Sequence, residues 1–223
     1  MAGLRPKYIS FDCYGTLIYF EMAPAAERVY GGERVAPDQM AAFKESFSAF
    51  RLDEVLGAWK PYRDVVESAL RRTCARHGVE YRDSDVERIY AEIPTWNPHP
   101  DVVEPLTRVG EEYRLVILSN SMVDLIPHSV AKLGATFHAV FTAEEAQAYK
   151  PRMQAFEYMI DQLDAVPEDF LHVSSSFRYD HMTAHDVGIR NKAFVNRGHE
   201  PSTPYYQVNE ISSIAGLPGL VGL

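Results

Sequence analysis

Four short apolar runs constrain this chain more than any other feature: Tyr8 to Phe11, Leu115 to Leu118, Phe170 to Val173 and Lys192 to Val195. Each is too short for a core helix and lacks the alternation of a half-exposed strand, so each reads as a buried parallel strand. Small or polar residues follow each run, and helical patterns appear at Val123 to Leu133, Pro151 to Leu163 and Tyr179 to Val187, with Pro151 suited to a first turn. A weaker run, Ala139 to Thr142, adds a fifth strand. This alternation predicts an α/β fold, a doubly wound parallel sheet with right-handed crossovers.

Between the first two runs the pattern changes to helix throughout. Met40, Phe43, Phe47 and Phe50 share one face, and Tyr62, Val65, Val66, Ala69, Leu70, Thr73 and Cys74 trace a second stripe. Turn signals at Gly31-Gly32, Lys60-Pro61, Gly78 and Pro94 to Pro100 divide and close the segment. The expected organisation is a core domain of residues 1–17 and 98–223 with a helical cap domain, 18–97, inserted after the first strand. The two cap stripes are expected to pack on each other, with Cys74 a small buried hydrophobe.

At 223 residues with 46% hydrophobic content, the chain can bury one sizeable core or a core and a small second domain. With 22 basic against 31 acidic side chains its formal charge is −9, which repels a phosphate backbone, so no nucleic-acid partner is expected. No apolar run approaches the roughly 20 residues that span a bilayer, and no membrane partner is expected. The two cysteines, Cys13 and Cys74, lie in no disulfide or metal spacing, which fits a reducing, cytoplasmic setting.

In open parallel sheets ligands bind beyond the carboxyl ends of the strands. The residues there are Asp12, Tyr14, Gly15 and Thr16, then Ser119, Asn120 and Ser121, then Lys150, then Ser174, Ser175, Ser176 and Asp180. Asp12, followed by CYGT, has two readings, a turn or helix-capping acid and a covalent nucleophile. Lys150 is either a solvated lysine or the cation that keeps such a nucleophile ionised. Ser119 and Asn120 either cap the following helix or donate to a substrate carboxylate, and the two roles are compatible. Asp180 is either a first-turn acid or, with Lys150, a group that acts on water.

FDCYGTL, ILSNS, YKP and VSSSFRYD stand in the order and spacing of the four motifs of the haloacid dehalogenase superfamily, and the whole chain, cap included, resembles its L-2-haloacid dehalogenase branch. The resemblance implies a Rossmann-like core of the superfamily's fold. Superfamily phosphatases carry a second acid where this chain has Tyr14, and a metal-binding acid where it has Ser175. Magnesium prefers several hard oxygen ligands, so no metal and no cofactor are expected. The resemblance implies that Asp12 attacks C2 of an L-2-halo acid, expels halide with inversion and forms an ester, which water hydrolyses to the D-2-hydroxy acid. It assigns Thr16 and Lys150 to orienting Asp12, and Ser119 with backbone amides such as that of Cys13 to the substrate carboxylate. Ser174, Ser176 and Asp180 would support Lys150 and the water.

A departing halide needs weak donors and apolar walls, for which Tyr14, Asn120, Trp59 and Phe177 are candidates. The branch's early-cap arginine is replaced by spacing with Phe43 or Lys44, Arg51 lying two helical turns further on. Lys44 supplies charge without a guanidinium fork. The fourth motif reads SSS rather than SSN, and Phe156 stands at a pocket tyrosine's place. Alternatives are therefore the same Asp12 chemistry on a fluorinated acid or a strained cyclic imino acid, a noncatalytic carboxylate binder, and a metal-dependent phosphatase. A small carboxylic acid is the expected ligand, and the resemblance together with the cap aromatics points to a homodimer.

Overall fold

The computed structural model describes residues 3–223. The chain divides into two compact units: residues up to Tyr19 with Asn97–Leu223, and Phe20–Trp96. In the first unit, β1 (Tyr8–Phe11) is wholly buried, as a strand covered on both faces must be.

The second unit holds α1 (Met22–Tyr30), α2 (Met40–Leu56), α3 (Tyr62–His77) and α4 (Asp83–Tyr90). Helices α2 and α3 pack along each other, and α3 buries the stripe from Tyr62 to Cys74 that its sequence periodicity predicts. Gly78, at φ +66°, ends α3 in the left-handed conformation that glycine adopts without a side-chain penalty. On α2 the buried set is Met40, Phe43, Ser46, Phe47, Arg51 and Val55. Phe50 is only half-buried, covered by the guanidinium of Arg72 at 4.3 Å from its ring centre.

Back in the first unit come α5 (Val103–Gly110), β2 (Arg114–Ser119), α6 (Ile126–Val130), β3 (Ala139–Thr142), α7 (Ala143–Ala146), α8 (Met153–Gln162), β4 (Phe170–Ser174), α9 (Met182–Asp186), β5 (Asn191–Val195), β6 (Asn209–Ile211) and α10 (Leu217–Leu220). All six strands are parallel, in the order β3-β2-β1-β4-β5-β6. This is the doubly wound arrangement expected from the sequence. Winding reverses between β1 and β4, so the crevice that such sheets offer to ligands opens where Asp12 follows β1 and Ser174 ends β4.

Three details differ from the sequence reading. The helix expected over 123–133 is only α6, because Pro127 lacks an amide proton and suits a first turn. The helix expected from Tyr179 begins as a π-helical turn, Phe177–His181, before α9. The short edge strand β6, with two exposed polar residues, carries too little apolar pattern to be seen in advance.

Tyr8, Val116, Leu118, Phe141, Phe156, Met159 and Phe170 form a core cluster on one face of the sheet. Leu118 is fully enclosed there. Leu118→Ala is expected to destabilise the protein by about 2–5 kcal/mol, measured by urea unfolding, because the cavity cannot collapse against a central strand.

Candidate active site

Asp12 follows β1 directly, and its amide donates to the Val173 carbonyl at 3.0 Å, fixing the residue against β4. The next turn curls back on itself: Leu17 and Ile18 amides both donate to the Cys13 carbonyl, at 2.8 and 3.0 Å. Gly15 makes this possible at φ +94°, a conformation that side chains disfavour. The turn returns Thr16 to the nucleophile candidate, and its hydroxyl donates to Asp12 Oδ2 at 2.7 Å. Ser175 locks the turn in place, its amide donating to Thr16 Oγ1 at 2.9 Å and its hydroxyl to the Gly15 carbonyl at 3.0 Å.

Lys150 Nζ donates to Asp12 Oδ1 at 2.8 Å and to Asp180 Oδ1 at 2.7 Å, and all three side chains are buried. Asn120 holds the lysine's backbone from both sides, donating to its carbonyl at 2.9 Å and accepting from its amide at 2.7 Å. The Asn120 amide is thus engaged by the chain itself. Ser119 Oγ differs: it is buried and makes no hydrogen bond among the described residues. A buried hydroxyl without a partner is costly and marks a place for a polar ligand atom.

Burial pushes the Asp12 carboxyl above its ordinary value, and nearby Asp180 adds to this, against the opposing pull of Lys150 and Thr16. Burial acts the same way on Asp180, but Lys150 and His172 overcome it and hold that carboxyl well below the usual range. Burial alone would lower Lys150; the two carboxylates outweigh it and keep the ammonium charged. Asp180 therefore stays ionised in the ligand-free protein, while Asp12 is the more basic carboxylate.

Ser174 and Ser176 serve the loop. Ser174 Oγ accepts from the Ser176 amide at 3.0 Å, and Ser176 Oγ donates to Glu200 at 2.7 Å and accepts from the Tyr179 amide at 3.0 Å. Glu200 Oε2 also accepts from the Phe177 and Arg178 amides, at 2.8 and 3.1 Å. The stretch from Gly198 to Tyr206 reads as featureless in sequence; no periodicity announces that its single carboxylate, Glu200, anchors the loop bearing Asp180. Phe177 is buried against Phe194, His181 and Tyr206, with ring centres 4.5, 5.2 and 6.1 Å away. Tyr14 accepts a hydrogen bond from Ser129 at 2.9 Å. Cys13 is fully buried, and burial raises its thiol well above its ordinary value, so it stays protonated.

In the helical unit, Lys44 is paired with Glu27 at 2.6 Å. Trp59 lies between α2 and α3, half-buried, its indole N–H unbonded among the described residues. Arg51 is buried with its guanidinium 5.0 and 4.8 Å from the ring centres of Phe20 and Phe47, and it has no hydrogen bond or ion pair among the described residues.

The motif residues meet around one lysine rather than around a cation cage. Lys150 Nζ lies between the two carboxylates, and Ser175 Oγ is spent on a carbonyl, so the donor set does not fit magnesium. Among the described residues no group of three or more His, Cys, Asp or Glu side chains is arranged to hold a metal.

The family model of haloacid dehalogenase-like hydrolases matches residues 6–188. The chain belongs to that family. It is 28% identical over 173 residues to (S)-2-haloacid dehalogenase of Xanthobacter autotrophicus, covering 76% of this chain and 68% of the relative. It superposes on the L-2-haloacid dehalogenase structure from that organism with chloropropionic acid covalently bound, at TM-score 0.78 and 23% identity over 98% of this chain and 99% of the other. YfnB of Bacillus subtilis bound to magnesium superposes as well, at TM-score 0.83 and 15% identity over 99% and 100% of the chains. At these identities the superpositions establish the shared fold, and function turns on the side chains. No helix among the described residues is long and apolar enough to cross a membrane.

Two outcomes follow for this hydrolase. With Asp12 read as the nucleophile, the acid limb of the kcat/KM profile should lie above about 4, the ordinary carboxylate value, because its proton affinity is raised. Lys150→Met should cost about 3–5 kcal/mol at pH 7, since it leaves two buried carboxylates facing each other without a counter-charge. A carboxyl whose folded-state value is raised favours the protonated fold, so chemical unfolding should show that loss shrinking as the pH falls toward 4.

Proposed function

We propose that this protein hydrolyses short-chain L-2-haloalkanoic acids to D-2-hydroxy acids through an ester on Asp12, without a metal. The observation that carries the reading is the clamp on Asp12: Lys150 on one oxygen, Thr16 on the other, and no acid at Tyr14 or Ser175. A halide leaving carbon needs no proton, so an attacking carboxylate needs only charge, orientation and a dry setting. Asp12 forms the C–O bond from the face opposite the halide, which departs with the electron pair of its bond to carbon. Water then attacks Cγ of Asp12. One of its protons passes to Asp180, the ester C–O bond breaks, and the alkoxide takes that proton to become the hydroxy acid; the second stays on the regenerated Asp12 carboxyl and is lost to solvent, which restores the carboxylate.

The unbonded hydroxyl of Ser119 is suited to the substrate carboxylate. Of Lys44 and Arg51, the side chain uncommitted to an acid is Arg51, and a buried guanidinium without a counter-ion is stabilised by an arriving anion. The same Asp12 chemistry on another activated carbon remains the second reading, and the commitment of Lys44 to Glu27 favours testing it alongside.

Halide and phosphate release should be assayed in chelator with L- and D-2-chloropropionate, fluoroacetate and a phosphate monoester. Halide from the L isomer alone is expected, with Asp12→Asn lowering turnover at least about 10³-fold. Phosphate release that requires magnesium would overturn the proposal.

A further inference from the structure

His172 lies in the middle of β4, fully buried, at a position whose neighbours Leu171 and Val173 are ordinary core residues. Nothing in the clamp on Asp12 requires a histidine there. Its register partner on β1 is Ser10, and the two side chains meet on the same face, Ser10 Oγ lying 2.9 Å from His172 Nδ1. On the other side of the ring, His172 Nε2 lies 3.0 Å from Asp180 Oδ1. Phe156 from α8 packs edge-on with a ring-centre separation of 5.2 Å, and His181 from the π-helical turn does so at 6.0 Å. Burial lowers His181 to about 3, so that neighbour is neutral and contributes no charge.

The hydrogen bonds dictate a tautomer. Asp180 is ionised and can only accept, so Nε2 carries the proton; Nδ1 then accepts from the Ser10 hydroxyl. Asp180 Oδ1 thereby receives two donors, His172 Nε2–H and Lys150 Nζ, whereas Oδ2 is buried and makes no hydrogen bond among the described residues. Two donors converging on one oxygen fix the rotation of the carboxylate, leaving its other oxygen to meet something else. Lys150 alone, already shared with Asp12, does not fix that rotation.

We propose that His172 is a positioning residue for the second half-reaction: it holds Asp180 Oδ1 so that Oδ2 faces the water that hydrolyses the Asp12 ester. The inference rests on the reading of Asp12 as a nucleophile given above. In the step served, the water O–H bond breaks, its proton goes to Asp180 Oδ2, and the water oxygen bonds Cγ of Asp12. Collapse of that adduct breaks the ester C–O bond, the departing alkoxide takes the proton from Asp180, and the water's second proton, left on the Asp12 carboxyl, is lost to solvent. His172 exchanges no proton. The first half-reaction uses the other end of the lysine, at Asp12 Oδ1, and does not depend on how Asp180 is turned.

The test separates the two half-reactions. Wild type, His172→Phe, His172→Gln and Ser10→Ala are mixed with L-2-chloropropionate, quenched in acid at successive times, and followed by intact-protein mass and halide release. Phenylalanine keeps the packing against Phe156 and removes the donor. The expected result for His172→Phe is a halide burst at close to the wild-type rate, persistence of the adduct mass, and a kcat lowered up to about 10²-fold, the size of effect that misplacing a reacting group produces. His172→Gln, which retains an N–H, should recover part of the turnover, and Ser10→Ala, which keeps the imidazole but frees its tautomer, should show a smaller accumulation. Should His172→Phe fail to fold, Ser10→Ala and His172→Gln carry the same readout. Turnover at the wild-type rate, or equal loss of burst and turnover, would overturn the role of His172. Absence of any adduct in wild type, with activity retained in Asp12→Asn, would instead sink the nucleophile reading, and this proposal with it.

Discussion

Lys150 Nζ lies 2.8 Å from one buried carboxylate and 2.7 Å from another, and much of the core unit serves to keep that charge paired. An ammonium withdrawn from water is tolerable only with good geometry on every side. Asn120 therefore pins the backbone that carries it, and Thr183 donates to the neighbouring Pro151 carbonyl at 2.7 Å. The carboxylates are in turn held from outside the pair, Asp12 by Thr16 and Asp180 by His172. Asp12 and Thr16 follow β1, Asn120 follows β2, Lys150 follows β3 and α7, and His172, Asp180 and Thr183 belong to β4 and the turns after it. The parallel sheet is what brings them within reach of one another.

The same packing explains which parts of the site its sequence announces. Asp12, Ser119 and Lys150 each sit immediately after an apolar run or its following turn, where period and topology alone point to the ligand crevice. Asp180 lies a short loop further on and is found the same way. His172 is hidden because it stands inside such a run, where an apolar pattern reads as core whatever single residue interrupts it. Only the register pairing with Ser10 and the folding back of the π-helical turn reveal its partner. Glu200 is hidden for the opposite reason: it lies in a segment without any period, and its role depends on three donors more than twenty residues earlier. Asn120 was legible as a site residue but not in its use, since no local pattern tells a side chain that meets a ligand from one that meets a distant backbone.

The helical unit obeys a simpler rule. Its α3 stripe is continuous and apolar, so periodicity reads it residue by residue. On α2 the stripe is interrupted by Arg51, whose burial follows from the aromatic rings of Phe20 and Phe47 rather than from any acid. Aromatic faces attract a guanidinium but do not neutralise it. A polar interruption of an apolar face is thus the same kind of signal in α2 as in β4, and in both places it marks a group whose partner is not local.

The lysine flanked by two carboxylates also sets a charge cycle. Two carboxylates and one ammonium sum to −1. On the proposed reading, ester formation removes the charge of Asp12, and the cluster becomes neutral while it holds a group that still bears the substrate's own carboxylate. Hydrolysis, with loss of the remaining water proton to solvent, restores the negative charge as the hydroxy acid becomes free. Three carboxylates then share a dry space with one ammonium, and their repulsion favours expulsion of the product. Release is thereby tied to completion of the chemistry, a ratchet that needs no moving part beyond the bond made and broken on Asp12.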